Sequence, residues 1–298
     1  MSDKAASVLA RLKNVAKSSR RTYSLCLQLF CQEELLRRLS LSSFSNNLVL
    51  KGGLFLYALT DFDSRVTVDI DFLLRWQTNT EEHLRSMLDE IIGVNTGNTF
   101  ISFTVLRIEP IAVVKPYPGI RATLIAHIKN TRTPFSIDFG VGDVIVPKSV
   151  KRSIPTQLPD FPAPILQTYS LETTISEKLD AILDLMDYSS RMKDYFDIYY
   201  LAGKFNFEGD TLIQAMRQTF ANRHRAFTEE QFRQMLHFAD NTAMQIKWNA
   251  FLRKLYLSEP DLETVLFLIR QFLKEPFMSV LKGRSFLKNW NTAKLQWE

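Results

Sequence analysis

Two aspartates one residue apart, each walled by apolar neighbours in Val68-Asp69-Ile70-Asp71-Phe72, constrain this chain more tightly than any other stretch. Side chains of a β-strand alternate between faces, so the two carboxylates share one face about 7 Å apart while Val68, Ile70 and Phe72 enter the opposite layer. Like charges at that spacing repel and return little to stability. They are, however, a donor set for divalent cations that polarise a phosphoryl group. Upstream, Lys51-Gly52-Gly53 offers two residues without a Cβ, whose backbone can turn tightly and bring amide N–H groups against a phosphate. Asp-x-Asp by itself is equally the polar end of a strand. The Gly-Gly turn, the apolar flanks and a third acid make a metal-dependent phosphate site the sharper expectation. That acid, Asp138, stands between Ile137 and Phe139, and a strand beside the one carrying Asp69 and Asp71 would complete a three-carboxylate cluster. The alternative is that Asp138 only organises the glycine-rich turn that follows it.

The remainder of the chain divides by pattern. From Lys4 to about Leu39 the apolar spacing is helical, and the segment carries Lys4, Arg11, Lys13, Lys17, Arg20, Arg21, Arg37 and Arg38 against Asp3, Glu33 and Glu34. Such a segment could wall a nucleic-acid groove or be a solvated helix face. Leu48-Val49-Leu50 leads into the glycine turn, and a short helix is expected over 54–59. Residues 80–92 read as a helix with Glu81 and Glu82 at its start, where the helix dipole favours acids. Alternating strands are expected over 100–108, 121–128 and 135–139, with a turn at Pro116 to Gly119. Residues 148–164 hold four prolines and read as an extended crossover. Beyond Gln167 the pattern is helical, with helices expected over 170–183, 191–201, 210–220, 229–240, 242–253 and 262–273, the last stopped by Pro276. The expected architecture is α+β, with a nucleotide-chemistry lobe over 1–150 and a mostly helical lobe over 151–298.

Composition narrows the partners only slightly. The 298 residues are 46% apolar and 23% charged, as in an ordinary globular protein, and 37 Lys and Arg against 32 acids leave a charge of +5 that mildly favours a polyanion. Arg223, Arg225, Arg233, Lys247, Arg253 and Lys254 with Trp248 could hold RNA by phosphate contact and stacking, or be a solvated surface around a core tryptophan. Cys26 and Cys31 lack nearby zinc-site companions and read as buried reduced thiols. Neither a signal peptide nor an apolar run of the ~20 residues that span a bilayer is present, so a cytoplasmic protein without membrane partners is expected.

Taken together, Lys51-Gly-Gly, Arg65-Val-Thr-Val-Asp-Ile-Asp71, Ile137-Asp-Phe-Gly-Val-Gly-Asp143, Glu177-Lys178-Leu179 and Arg191-Met-Lys-Asp-Tyr-Phe-Asp197 resemble the AbiEii/AbiGii toxin family of nucleotidyltransferases, in motif order and spacing over residues ~50 to 200. The resemblance implies a polymerase-β-like nucleotidyltransferase lobe with a mixed sheet, a helical second lobe, and a toxin of a bacterial toxin–antitoxin or phage-defence pair with a cognate antitoxin. For its tRNA-modifying members it implies transfer of NMP from an NTP to the tRNA 3′ end, which blocks aminoacylation and translation. Residue by residue, it gives Gly52 and Gly53 a phosphate-loop role, Asp69 and Asp71 a metal role, and Lys178 and Asp194 roles at the nucleotide. Thr67 stands where many relatives carry Ser, with a hydroxyl for a phosphate oxygen. The turn is Gly-Gly where these enzymes usually have Gly-Ser, and the gap to the first aspartate is longer.

On that basis Mg²⁺ on the NTP triphosphate is expected at Asp69 and Asp71, with Asp138 on a second metal or orienting the attacking hydroxyl. Lys178 is expected to bind triphosphate oxygens as a point charge, with Arg191 and Lys193 assisting and Asp194 orienting Lys178 or touching the nucleotide. A lysine supplied by the helical lobe predicts a site in the cleft between lobes. Two rivals stand beside this reading: nucleotidyl transfer to a protein or small molecule, and a non-catalytic NTP-binding toxin acting through a partner. Within the helix itself, Arg191 and Asp194 are also at the spacing of a simple intrahelical ion pair.

Overall fold

The computed structural model describes residues 3–19, 21–60, 65, 67, 69–111, 119–188 and 190–298. Arg20, Val68 and the turn expected at Pro116 to Gly119, Gly119 excepted, lie outside them. The chain forms two compact units, one of Met1–Gly142 with Val150–Tyr169 and the other of Asp143–Ser149 with Ser170–Glu298. Among the described residues no helix is long and apolar enough to cross a membrane.

The first unit opens with helices α1 (Lys4–Ser19) and α2 (Tyr23–Leu41), then strand β1 (Leu48–Lys51), helix α3 (Gly52–Leu59), strand β2 (Ile70–Leu74) and helix α4 (Glu81–Gly93). Strands β3 (Ile101–Pro110), β4 (Ile120–Ile128), β5 (Thr131–Gly140), β6 (Val150–Ser153) and β7 (Ile165–Thr168) complete it. They join in one mixed sheet of order β3-β4-β5-β2-β1-β7-β6, in which β2 runs parallel to β5 and antiparallel to β1. The alternation read from the sequence sets the layers. Ile120, Ala122, Leu124 and Ala126 of β4 and Phe135, Ile137 and Phe139 of β5 are buried, while the residues between them remain half-exposed or exposed. Helices α2 and α4 pack against this sheet and each other. Thr80 caps α4 by accepting the His83 N–H at 3.4 Å, and Leu84, Met87, Leu88 and Ile91 form its buried stripe.

Helix α2 departs from both readings of its basic segment, the wall of a nucleic-acid groove and the solvated face. Its residues from Cys26 to Leu39 are buried almost without interruption, Glu33, Glu34, Arg37 and Arg38 included. Buried charges persist only when paired. Glu34 accepts from Arg37, from Arg38 Nε at 3.3 Å, from Thr96 Oγ1 at 2.5 Å and from Asn98 Nδ2 at 2.8 Å. Arg37 and Arg38 in turn donate to the carbonyls of Pro162 and Ile101 at 2.7 and 2.8 Å. Two of the eight cations that might have faced a polyanion are thus structural. Glu33 is different: burial pushes its carboxyl up to about 8, only partly offset by the backbone N–H of Gln157 and by Arg37. Cys26 and Cys31 are buried free thiols, as expected.

The second unit contains helices α5 (Leu171–Leu185), α6 (Met192–Lys204), α7 (Gly209–Asn222), α8 (Glu229–Leu236), α9 (Thr242–Lys254) and α10 (Leu262–Leu281). It is not wholly helical beyond residue 205. Strands β8 (Phe207–Glu208), β9 (Asn289–Asn291) and β10 (Gln296–Trp297) form a small antiparallel sheet. Helix α8 ends at Leu236, short of the expected 240, and Pro276 does not stop α10, which continues to Leu281. A proline inside a helix leaves the carbonyl four residues earlier without its donor. Here that carbonyl, Phe272, accepts the indole N–H of Trp297 at 2.9 Å, and the Phe272 and Trp297 rings stack with centroids 5.7 Å apart. The C-terminal strand pair supplies what the proline withholds.

Two outcomes follow from these contacts. Trp297→Phe is expected to lower stability by about 2 kcal/mol through the orphaned Phe272 carbonyl, and adding Pro276→Ala, which restores an N–H, should return part of the loss in urea unfolding. Because the Glu33 carboxyl is raised, folding takes up a proton between its ordinary 4.5 and about 8, so stability falls as pH rises through that window. Glu33→Gln should lose less stability than wild type across it, with a difference of about 2 kcal/mol or more at the upper end in urea midpoints measured from pH 5 to 8.5.

Candidate active site

The expected residues of the first unit gather on the half-exposed face of the sheet. Asp71 on β2 pairs in register with Asp138 on the parallel strand β5 and with Lys51 on the antiparallel strand β1. Asp138 in turn faces Arg121 on β4. Period-two alternation then sends all four side chains to one side, in the order Arg121, Asp138, Asp71, Lys51: two acids flanked by two cations. Asp69, two residues before Asp71, is exposed. The strand expected beside that of Asp69 and Asp71 is therefore β5.

Arg121 clamps Asp138 with a bidentate fork, Nε to Oδ1 and Nη2 to Oδ2, both at 2.7 Å. The hydrogen bond and charge of Asp138 hold the guanidinium above its ordinary range, with Asp69 and Asp71 adding to the effect. At the other end of the row Lys51 Nζ donates to the Tyr169 hydroxyl at 3.3 Å and lies 5.1 Å from the centre of that ring. Neither Arg121 nor Lys51 stood among the residues expected at the site. Lys51 adjoins the glycine turn and was legible to that extent. Arg121 is the first polar residue of an alternating strand, and only register reveals what it faces.

The glycine turn begins α3, so Gly52 and Gly53 occupy the first turn of a helix whose leading N–H groups lack intrahelical acceptors. Gly52 has φ +70, and a Cβ there would lie 2.1 Å from Asp71 Oδ2. A Cβ on Gly53 would lie 2.8 Å from Thr67 Oγ1. The two glycines thus hold open the space in which the Asp71 carboxylate and the Thr67 hydroxyl sit, a constraint the sequence does not display. Among the described residues, no group of three or more His, Cys, Asp or Glu side chains stands ready to hold a metal ion. Asp71 and Asp138 nevertheless give a hard divalent cation oxygen donors on adjacent strands, about 4.8 Å apart along the backbone ladder, beside a glycine whose missing Cβ makes room for the Asp71 carboxylate. The donor chemistry fits such an ion.

In the second unit Lys178, Arg191 and Asp194 cluster with Asp197. Lys178 on α5 donates to Asp194 Oδ1 at 3.1 Å and to Asp197 Oδ2 at 2.5 Å, both on α6. Arg191 Nε donates to Asp194 Oδ2 at 2.6 Å, the intrahelical pair its spacing suggested. Asp194 is 1% exposed. Burial alone would push its carboxyl up, but Lys178 and Arg191 outweigh this and hold it below its ordinary range. Two cations and two carboxylates balance, as burial demands. Lys178 is buried within the cluster, whereas Arg191 and Lys193 reach solvent.

The C-terminal cations are largely engaged with their own unit. Arg223 pairs with Asp143, Glu177 and Asp180, Arg225 with Asp184 and Arg233 with Glu230. Lys247 donates to the Asp187 carbonyl, and Trp248 is buried with its N–H on the Pro260 carbonyl. A groove of about 700 Å³ is lined by Phe232, Arg233, Trp248, Leu262 and Leu266 and contains none of the residues expected at the nucleotide.

Residues 34–279 match the family described as the nucleotidyl transferase AbiEii toxin of a type IV toxin–antitoxin system. The chain is similar to JHP933 from Helicobacter pylori, whose crystal structure it matches at 16% identity over 85% of this chain and 90% of that one, with a TM-score of 0.44. A second H. pylori structure, described as a candidate nucleotidyltransferase, is 14% identical over 89% of this chain and 95% of that one, also at 0.44. None of the curated proteins matches the chain.

Gly52→Ala is expected to cost about 1–2 kcal/mol from its left-handed backbone alone, and to displace Asp71 besides. Mn²⁺ affinity, read by calorimetry beside urea unfolding, should fall in this variant. Gly93→Ala, with open space around it, should leave that affinity unchanged.

Proposed function

The chain belongs to the AbiEii nucleotidyl transferase toxin family of type IV toxin–antitoxin systems, and from that premise we propose that it moves NMP from an NTP onto an RNA acceptor, the 3′ end of tRNA. The observation that carries this reading is the in-register pair of Asp71 and Asp138 beside the Gly52 turn. Gly52 and Gly53 receive triphosphate oxygens on first-turn amides, and Thr67 adds a hydroxyl. Asp69 and Asp71 would hold Mg²⁺, with Asp138 as a further oxygen ligand. When bound, the ion neutralises charge on the triphosphate. Asp138 orients the acceptor hydroxyl. That oxygen bonds to the α-phosphorus, the bond from the α-phosphorus to the bridging oxygen breaks, pyrophosphate leaves with the electron pair, and the hydroxyl proton passes to solvent.

In the same reading Lys178 and Asp194 serve the nucleotide. Lys178, fixed by Asp194 and Asp197, sets the charge of the cluster, and Arg191 and Lys193 are its outward cations. Modified tRNA no longer accepts an amino acid, so translation stops. The protein acts in the cytoplasm, where NTPs and tRNA meet, and a cognate antitoxin limits it.

Incubation of the purified chain with Mg²⁺, total RNA and each α-labelled NTP tests the proposal. Label is expected on RNA of tRNA size, falling at least about 100-fold in Asp71→Asn and in Asp138→Asn, a loss typical of removing charge stabilisation from a transfer site. Absence of label on RNA with every NTP would refute the acceptor, and label that survives RNase on a protein band would reassign it.

A further inference from the structure

The acid row is built around a cation, Arg121, that only strand register brings to Asp138. Arg121 grips both oxygens of Asp138 at 2.7 Å, and Asp69 and Asp71 act on the same guanidinium. Lys51 stands at the opposite end, in register with Asp71. A bare pair of carboxylates on adjacent strands would repel across the ladder, and these flanking cations relieve that repulsion. The Arg121 and Asp138 side chains are 44% and 22% exposed. An ion pair so open to water is worth roughly 1.4-fold to fivefold in an equilibrium constant. A divalent cation brings a second positive charge and can serve several carboxylate oxygens at once. The grip on Asp138 is therefore strong enough to order the carboxylate and weak enough to be displaced.

We propose that Arg121 is the resident counter-ion of the acid row, a positioning residue that holds Asp138 while no divalent cation is bound and that the cation must displace from at least one Asp138 oxygen. The proposal rests on the reading of Asp69, Asp71 and Asp138 as cation ligands. It makes Arg121 and the divalent cation competitors. Removing the guanidinium raises affinity for the ion and leaves the ion-free protein less stable. A lysine at 121 keeps the charge but loses the planar two-point grip.

Titration of the full chain with Mn²⁺ alone, without nucleotide or RNA, provides the test, with bound ion followed by electron paramagnetic resonance and folding by circular dichroism. Arg121→Gln should bind Mn²⁺ roughly 1.4-fold to fivefold more tightly than wild type, and Arg121→Lys should fall between them. Saturating Mn²⁺ should raise the unfolding temperature of Arg121→Gln by more than that of wild type. Equal or weaker binding by a folded Arg121→Gln would overturn the proposal; if that variant does not fold, unchanged affinity in Arg121→Lys would do so. Uptake by wild type that is lost in Asp71→Asn but indifferent to residue 121 would overturn the counter-ion role alone. No uptake by wild type would overturn it together with the ligand reading beneath it.

Discussion

The hydrogen-bond ladder that seats β2 between β1 and β5 fixes the chemistry of the first unit. Lys51 opposite Asp71, and Asp71 opposite Asp138, are consequences of register. Because side chains alternate with a period of two, a slip of one residue in β5 would turn Asp138 toward the buried layer and bring Ile137 or Phe139 to the open face. The hydrophobic layer of Ile70, Phe72, Ile137 and Phe139 forbids that slip. The apolar residues thus specify where the polar ones go, and the carboxylates sit together because their neighbours are bound to the core.

The two units treat charge in opposite ways. On the sheet, acids and flanking cations lie at a surface that water reaches, where each pair is weak and exchangeable. In the helical unit, Lys178, Asp194 and Asp197 are sealed between α5 and α6, where breaking one partnership would strand a charge in a poorly solvating interior. The first arrangement suits ligand exchange. The second suits a fixed electrostatic scaffold, with Arg191 as the member that meets solvent. Helix α2 follows the second pattern, its Glu34 serving both Arg37 and Arg38.

Much of this was legible in the sequence, for identifiable reasons. Period-two alternation in β4 and β5 and the spacing of Leu84, Met87, Leu88 and Ile91 in α4 are local signals, and they located these elements. Asp69 and Asp71 stood out because acids between apolar neighbours are costly without a purpose. Long-range facts were invisible. The bidentate grip of Arg121 depends on strand register, and the burial of Arg37 and Arg38 depends on carbonyls at Pro162 and Ile101, far along the chain. Pro276 misled for the same reason: the rule that proline ends a helix assumes that no distant donor comes to the stranded carbonyl.

That distant donor has a consequence for how the molecule is made. Phe207 lies opposite Trp290, and the carbonyl of Phe272 waits for Trp297. Ribosomal synthesis proceeds from the amino end, so α6, α7 and most of α10 emerge before the strands that finish their packing. The helical unit therefore cannot settle into its native arrangement until residues 289–297 have been made, and a nascent chain interrupted before Trp297 carries an unfinished second unit.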